Sequence, residues 1–136
     1  MREFYKDRVF ALLFIAPLPV WLSFYLAGNF VNTWDVHLLI SVVLLYPLLE
    51  ELFFRGLLLP IIAKTAPQKW WLLSMANIIT SVLFCAAHLA SHSPMWAVAT
   101  FFPSLIFGYI QERTNNLAAP FVLHASYNAG YFLIFG

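Results

Sequence analysis

Glu50 and Glu51 stand side by side in an otherwise apolar stretch from Leu44 to Leu59, and Arg55 follows four residues after the second. Ionised side chains at membrane depth cost about 2.5–3.5 kcal/mol each on insertion scales, so they read as functional sites by default. An acid four residues N-terminal to a base is the favourable order for an ion pair on one helix face, which couples Glu51 to Arg55. Glu50 points about 100° away on the same helix and is left free to face a cavity. Two further apolar stretches carry His88, with Phe84 four residues before it, and His124 with Asn128, again four apart. A carboxylate that can take a proton, imidazoles that can pass one on and an amide that can donate hydrogen bonds form a set suited to acid–base chemistry.

Helices in a membrane must position these groups. Of 136 residues, 62% are hydrophobic and 10% charged. A soluble domain carries about 25% charge, so the composition belongs to the membrane class. The net charge of +1 gives no reason to expect nucleic acid as a partner. About 20 apolar residues cross the hydrocarbon core as a helix. Five stretches qualify, at 9–28, 37–63, 70–90, 95–111 and 117–135, separated by short polar breaks. The expected fold is all-α, a polytopic bundle of five spans forming one domain over residues 1–136. Met1 to Arg8 is charged and the apolar run behind it is longer than the core of a secretory signal, so an uncleaved first span is expected. Pro17, Pro19, Pro47 and Pro103 fall within spans and predict kinks. Pro47, three residues before Glu50, could open the backbone there to water.

Basic residues alternate between the breaks. Arg2, Lys6 and Arg8 precede the first span, Lys64 and Lys69 lie in the second loop and Arg113 in the fourth, while the first and third loops and the C-terminus have none. By the positive-inside rule the N-terminus is cytoplasmic and the C-terminus outside. Trp34, Trp70, Trp71 and Trp96 fall near span ends, where interfacial aromatics belong. Counted from Trp70, His88 lies about 15 Å too far outward to meet His124, unless residues 67–73 run along the interface first.

The bland readings are specific too. A structural ion pair with Arg55 accounts for Glu51 and leaves Glu50 unexplained. Asn77 reads as interhelical glue, His37 and His92 as solvated span ends, and Phe53-Phe54 and Phe101-Phe102 as lipid-facing or packing surface. Cys85 reads as a small packing residue without electropositive activation.

Glu50-Glu51-x-x-x-Arg55, Phe84-x-x-x-His88 and His124-x-x-x-Asn128, in this order on separate apolar helices, resemble the three motifs of the CPBP family. This is the CAAX-protease and bacteriocin-processing (Abi) family, which includes the Rce1-type proteases. The resemblance covers about residues 40–132. It implies an intramembrane glutamic endopeptidase with no cofactor, in which Glu50 activates water, His88 orients it, His124 and Asn128 supply oxyanion donors, and Glu51 and Arg55 brace the site. The implied partners are the lipid bilayer and a membrane-anchored protein or peptide, cut in a C-terminal segment. The implied location is a bacterial or archaeal cytoplasmic membrane. The mechanistic rival is zinc held by Glu50, His88 and His124. The non-enzymatic rivals are a proton-coupled transport protein and an immunity or scaffold protein.

Overall fold

The computed structural model describes residues 3–30 and 35–136; Arg2 and Trp34 lie outside them. The described residues are mostly helical, with one small hairpin. A 3-10 turn, Phe4–Lys6, leads into α1 (Arg8–Ile15), whose first N–H groups are capped by the Asp7 carboxylate, which accepts from Val9 and Phe10. The kink expected from the first prolines is a break at Ala16–Pro17, after which α2 (Leu18–Leu26) begins with Pro19 in its first turn. Asp35 caps α3 (Val36–Thr65) in the same way, accepting from His37 and Leu38.

α3 is 30 residues long, about 45 Å, so it exceeds the ~30 Å hydrocarbon core and has length to spare. Two wide, π-type segments interrupt its α-helical turns, Ser41–Leu45 and Glu51–Leu58. The first has a readable cause. The Tyr46 N–H bonds to the Ser41 carbonyl, five residues back. In that register the next bond would run from residue 47 to the Val42 carbonyl, and Pro47 has no N–H to give. The freed carbonyl accepts instead from Asn128 Nδ2 at 2.8 Å, so a side chain of the last helix takes the place expected for water.

The stretch expected to open the third span folds differently. β1 (Lys69–Trp70) pairs antiparallel with β2 (Leu73–Ser74), in the register Lys69 with Ser74 and Trp70 with Leu73. Trp71 closes the turn at φ +56°, and it and Trp70 are exposed. The Ser74 hydroxyl then caps α4 (Met75–His88), accepting from the Asn77 N–H. Starting at Met75 rather than residue 70 takes about 7.5 Å, half, off the predicted depth mismatch of His88. The fourth stretch is two helices, α5 (Pro94–Ala99) and α6 (Phe101–Thr114), divided at Thr100 and ended by Asn115 at φ +51°. Pro103 fits without a kink, because it sits in the first turn of α6, where no donor is needed. α7 (Ala118–Phe135) completes the bundle.

By length and composition two helices can cross a membrane, Arg8–Leu26 taken through its break and Val36–Thr65, while Met75–His88 is apolar but shorter. Contacts between the breaks sort them by end. Arg113 Nε bonds both oxygens of Asp7, at 3.1 and 3.0 Å, and Ser74 Oγ bonds Glu112 at 2.5 Å. The N-terminus, second loop and fourth loop, all expected to share one side, therefore gather at one end. At the other, Trp96 Nε1 donates to the Tyr131 hydroxyl, joining the third break to the last helix.

A hydrophobic cluster of Phe10, Phe107, Ile110, Ala119 and Leu123 ties α1, α6 and α7 together. α4 and α6 meet along a polar seam. Asn77 Nδ2 donates to the Leu105 carbonyl at 2.9 Å, Ser81 Oγ donates to Asn77 Oδ1, and Gly108 leaves the space that the Asn77 amide fills. Asn77 is thus the interhelical glue its position suggested. A Cβ at Gly108 would run into that amide, so Gly108→Ala is expected to lose about 1–3 kcal/mol, the range for overpacking. A lowered thermal-unfolding midpoint in detergent, with Asn77→Ala restoring part of the loss in the double variant, is the check.

Candidate active site

The second wide segment of α3 carries Glu51 and Arg55 inward together. Both are 1% exposed. Arg55 Nη1 bonds Glu51 Oε1 at 3.1 Å, while Nη2 bonds the Ser104 hydroxyl at 2.6 Å and the Ser104 carbonyl at 2.9 Å. The guanidinium is covered by aromatic faces, with its centre 4.7 Å from the Phe84 ring and 5.5 Å from Phe107. The ion pair foreseen from the i,i+4 spacing is therefore present, and it is also the joint between α3 and α6. Glu51 Oε2 and Arg55 Nε are buried without a hydrogen-bond partner.

Glu51 has a second partner. His124 Nδ1 lies 2.8 Å from the same Oε1. That oxygen already accepts from Arg55, so Nδ1 carries the ring proton and donates. The His124 ring stacks on Phe107, with centroids 4.7 Å apart and planes at 21°. His88 is held alike: its Nδ1 donates to the Phe84 carbonyl at 2.8 Å, and its ring lies against the Phe84 ring at 4.5 Å. Phe84, 2% exposed, is the plate on which Arg55, His88 and His124 are arranged.

With both Nδ1 atoms committed, both rings turn Nε2 towards Glu50. His124 Nε2 is 3.5 Å from Glu50 Oε2, and His88 Nε2 is 4.0 Å from Oε1. In neutral rings these nitrogens are acceptors, as is the carboxylate. Three acceptors converging at such distances need hydrogens or positive charge between them. His88 Nε2, His124 Nε2 and Glu50 are also the groups that could hold a divalent cation. As placed, no three His, Cys, Asp or Glu among the described residues make a metal-holding group.

Glu50, His88, His124 and Asn128 all line one cavity of about 430 Å³. Its walls are largely apolar and aromatic, with Trp21, Tyr46, Trp96, Tyr127 and Tyr131 among them. Asn128 faces it with Nδ2 bonded to the Val42 carbonyl, and that amide has a second N–H to offer. All four residues singled out from sequence thus meet in one place, with Glu51, Arg55 and Phe84 behind them. Ser104, Phe107 and the aromatic walls were not foreseen. Ser104, polar within an apolar run, was the one visible signal. His92, expected to be merely solvated, is exposed but also lines the cavity and stacks on Trp96 at 4.0 Å.

The fold and site define a class, an all-α membrane protein whose helices converge on a glutamate–histidine centre. The comparisons are specific: the family model for Type II CAAX prenyl endopeptidase, Rce1-like, matches residues 32–130, and the chain belongs to that family. It is similar to an uncharacterized 24.3 kDa protein of Escherichia coli, 31% identical over 86 residues, a match spanning 63% of this chain and 38% of that protein. No solved structure matches.

The geometry makes Arg55 the residue the site tolerates losing least. Arg55→Met strands the buried Glu51 carboxylate and is expected to cost about 3–5 kcal/mol, whereas Glu51→Gln with Arg55→Met should recover much of it. Thermal unfolding of both variants in one detergent compares them. A double variant no more stable than the single would show that the pair's charges are not what matters.

Proposed function

We propose that this chain is an intramembrane endopeptidase in which Glu50 activates a water molecule to attack a peptide bond. The observation that carries the reading is that both histidines turn Nε2 to the Glu50 carboxylate, one towards each oxygen, beside a largely apolar cavity. A water donates two hydrogens, one to Glu50 and one to His88 Nε2, and this turns its lone pairs towards a carbonyl carbon placed in the cavity. Glu50 then removes one of those protons as the bond to oxygen forms, a step worth typically 10²–10⁴ in rate.

His124 has a conditional part. Its Nδ1 is committed to Glu51, so Nε2 can donate to the tetrahedral oxyanion or the leaving amine only while the ring carries a second proton. Glu51 supports that state by accepting from Nδ1. The free N–H of Asn128 is a second oxyanion donor, and such donors are worth about 2.7–4 kcal/mol each in related chemistry. Arg55 and Ser104 act by bracing Glu51.

The substrate we propose is a peptide bond in the C-terminal segment of a membrane-anchored protein or peptide in a bacterial or archaeal cytoplasmic membrane. The chain would cross that membrane five times with its N-terminus inside. The gathering of Asp7, Arg113, Ser74 and Glu112 at one end supports that topology, because it places the expected cytoplasmic breaks together.

Glu50→Gln is expected to keep the fold and lower peptide hydrolysis by about 10²-fold or more. Cleavage of a co-expressed membrane-anchored substrate, followed by mass spectrometry of its tail, is the assay. Cleavage unchanged by both Glu50→Gln and His124→Ala would rule out the proposed site, and no cleavage by the wild type would favour transport or an immunity role. A divalent cation could satisfy the same acceptors, and Nδ1 hydrogen bonds of this kind also accompany metal-bound imidazoles. Stoichiometric zinc whose removal by chelator abolishes cleavage would replace the activated-water scheme with a zinc-centred one on the same three residues.

A further inference from the structure

One wall of the cavity comes from outside the family match. Residues 32–130 are matched; Tyr131 and Phe132 lie just past that match, whereas Pro17 and Trp21 line the cavity from the first helical pair, well before it. α1 is fixed firmly: Asp7 is clamped by Arg113, Phe10 is buried in the core cluster, and the Leu13 carbonyl accepts from the Tyr127 hydroxyl at 2.8 Å. α2 is held differently. Leu18, Val20, Leu22, Tyr25 and Leu26 are exposed, and the helix leans on α7 through two aromatic residues. Phe24 meets Phe135 edge-on at 5.0 Å. Trp21 sits over Gly130, where any Cβ would run into the indole, and meets Tyr127 edge-on at 6.3 Å. Pro17 and Pro19 remove two N–H donors from the stretch joining the fixed helix to the loosely held one.

Exposed residues of different polarity line the cavity. Tyr46 of α3, 53% exposed, lines it together with Trp21 of α2. Exposed His92, in the polar turn Ser91-His92-Ser93, lines it as well.

We propose that Trp21 is a specificity-determining wall of this chamber: an apolar segment enters from the bilayer between α2 and α3, and its side chain takes up the space the indole controls. Water reaches Glu50 by the His92 side. The word substrate here rests on the hydrolase reading, but the wall itself can be tested without hydrolysis.

The probe is dicyclohexylcarbodiimide, an apolar carboxyl reagent, set beside a water-soluble carbodiimide. Modification of Glu50 is read by peptide mass spectrometry, with Glu50→Gln as the blank. Trp21→Ala removes the wall and Gly130→Ala unseats it, so both are expected to speed labelling by the apolar reagent severalfold. Labelling by the water-soluble reagent should stay unchanged, and Trp21→Phe should stay close to wild type. Trp21→Leu serves in place of Trp21→Ala if the latter does not fold. Unchanged labelling in the folded variants overturns the proposal, as does equal acceleration by both reagents, which would mean general loosening. Accelerated labelling in a chain with no peptidase activity would keep the wall and discard the hydrolase reading.

Discussion

The buried pair of Glu51 and Arg55 is the constraint on which the rest of the structure depends. Taking two charges out of water costs several kcal/mol per ion, and their attraction repays this only where geometry and further hydrogen bonds are good. Three helices supply what the pair requires. α3 brings both charges, α6 brings Ser104 to the guanidinium, and α7 brings His124 to the carboxylate. Phe84 from α4 and Phe107 from α6 cover the planar faces of Arg55, where a cation over a ring is attracted by its quadrupole. Packing that satisfies the pair therefore also fixes the tilt of both histidine rings, because the same two phenylalanines support them.

Backbone register is the second device. π-type turns are rare and concentrate at functional sites, and here one precedes Pro47 while the other begins at Glu51. The first frees the Val42 carbonyl and so gives Asn128 a fixed partner. The second begins between the neighbouring glutamates, whose side chains part company. Glu51 goes inward to the ion pair, at 1% exposed, while Glu50, with 29% of its side chain exposed, faces the cavity.

What could be read in the sequence was what lies within one helix. Glu51 with Arg55, Phe84 with His88 and His124 with Asn128 are each one helical turn apart, so periodicity alone places each pair on a common face. The bond from His124 to Glu51 joins residues 73 positions apart, and the bond from Arg55 to Ser104 joins residues 49 apart. No local pattern encodes those. The errors in the helix boundaries have a physical origin as well. Trp70, Trp71 and Leu72 score as apolar span, yet backbone pairing and a left-handed residue turn them back as a hairpin. The break at Thr100 carries no glycine or proline of its own to announce it; the Thr100 hydroxyl bonds back to the Ala97 carbonyl at 2.6 Å.

Charge placement also decides what Glu50 can do. Arg55 is the cation closest to it along the chain, and a guanidinium facing Glu50 would hold that carboxylate as a fixed anion, a poor proton acceptor. The fold turns Arg55 away: its Nη atoms are taken by Glu51 and Ser104, and its faces by aromatic rings. What Glu50 meets instead are two imidazole Nε2 atoms, neither of them a fixed cation of the guanidinium kind. A carboxylate beside two such partners is not held in the buried ion pair that engages its neighbour. The second glutamate is thus the reason the first is free: by occupying Arg55, Glu51 leaves its neighbour to face the cavity.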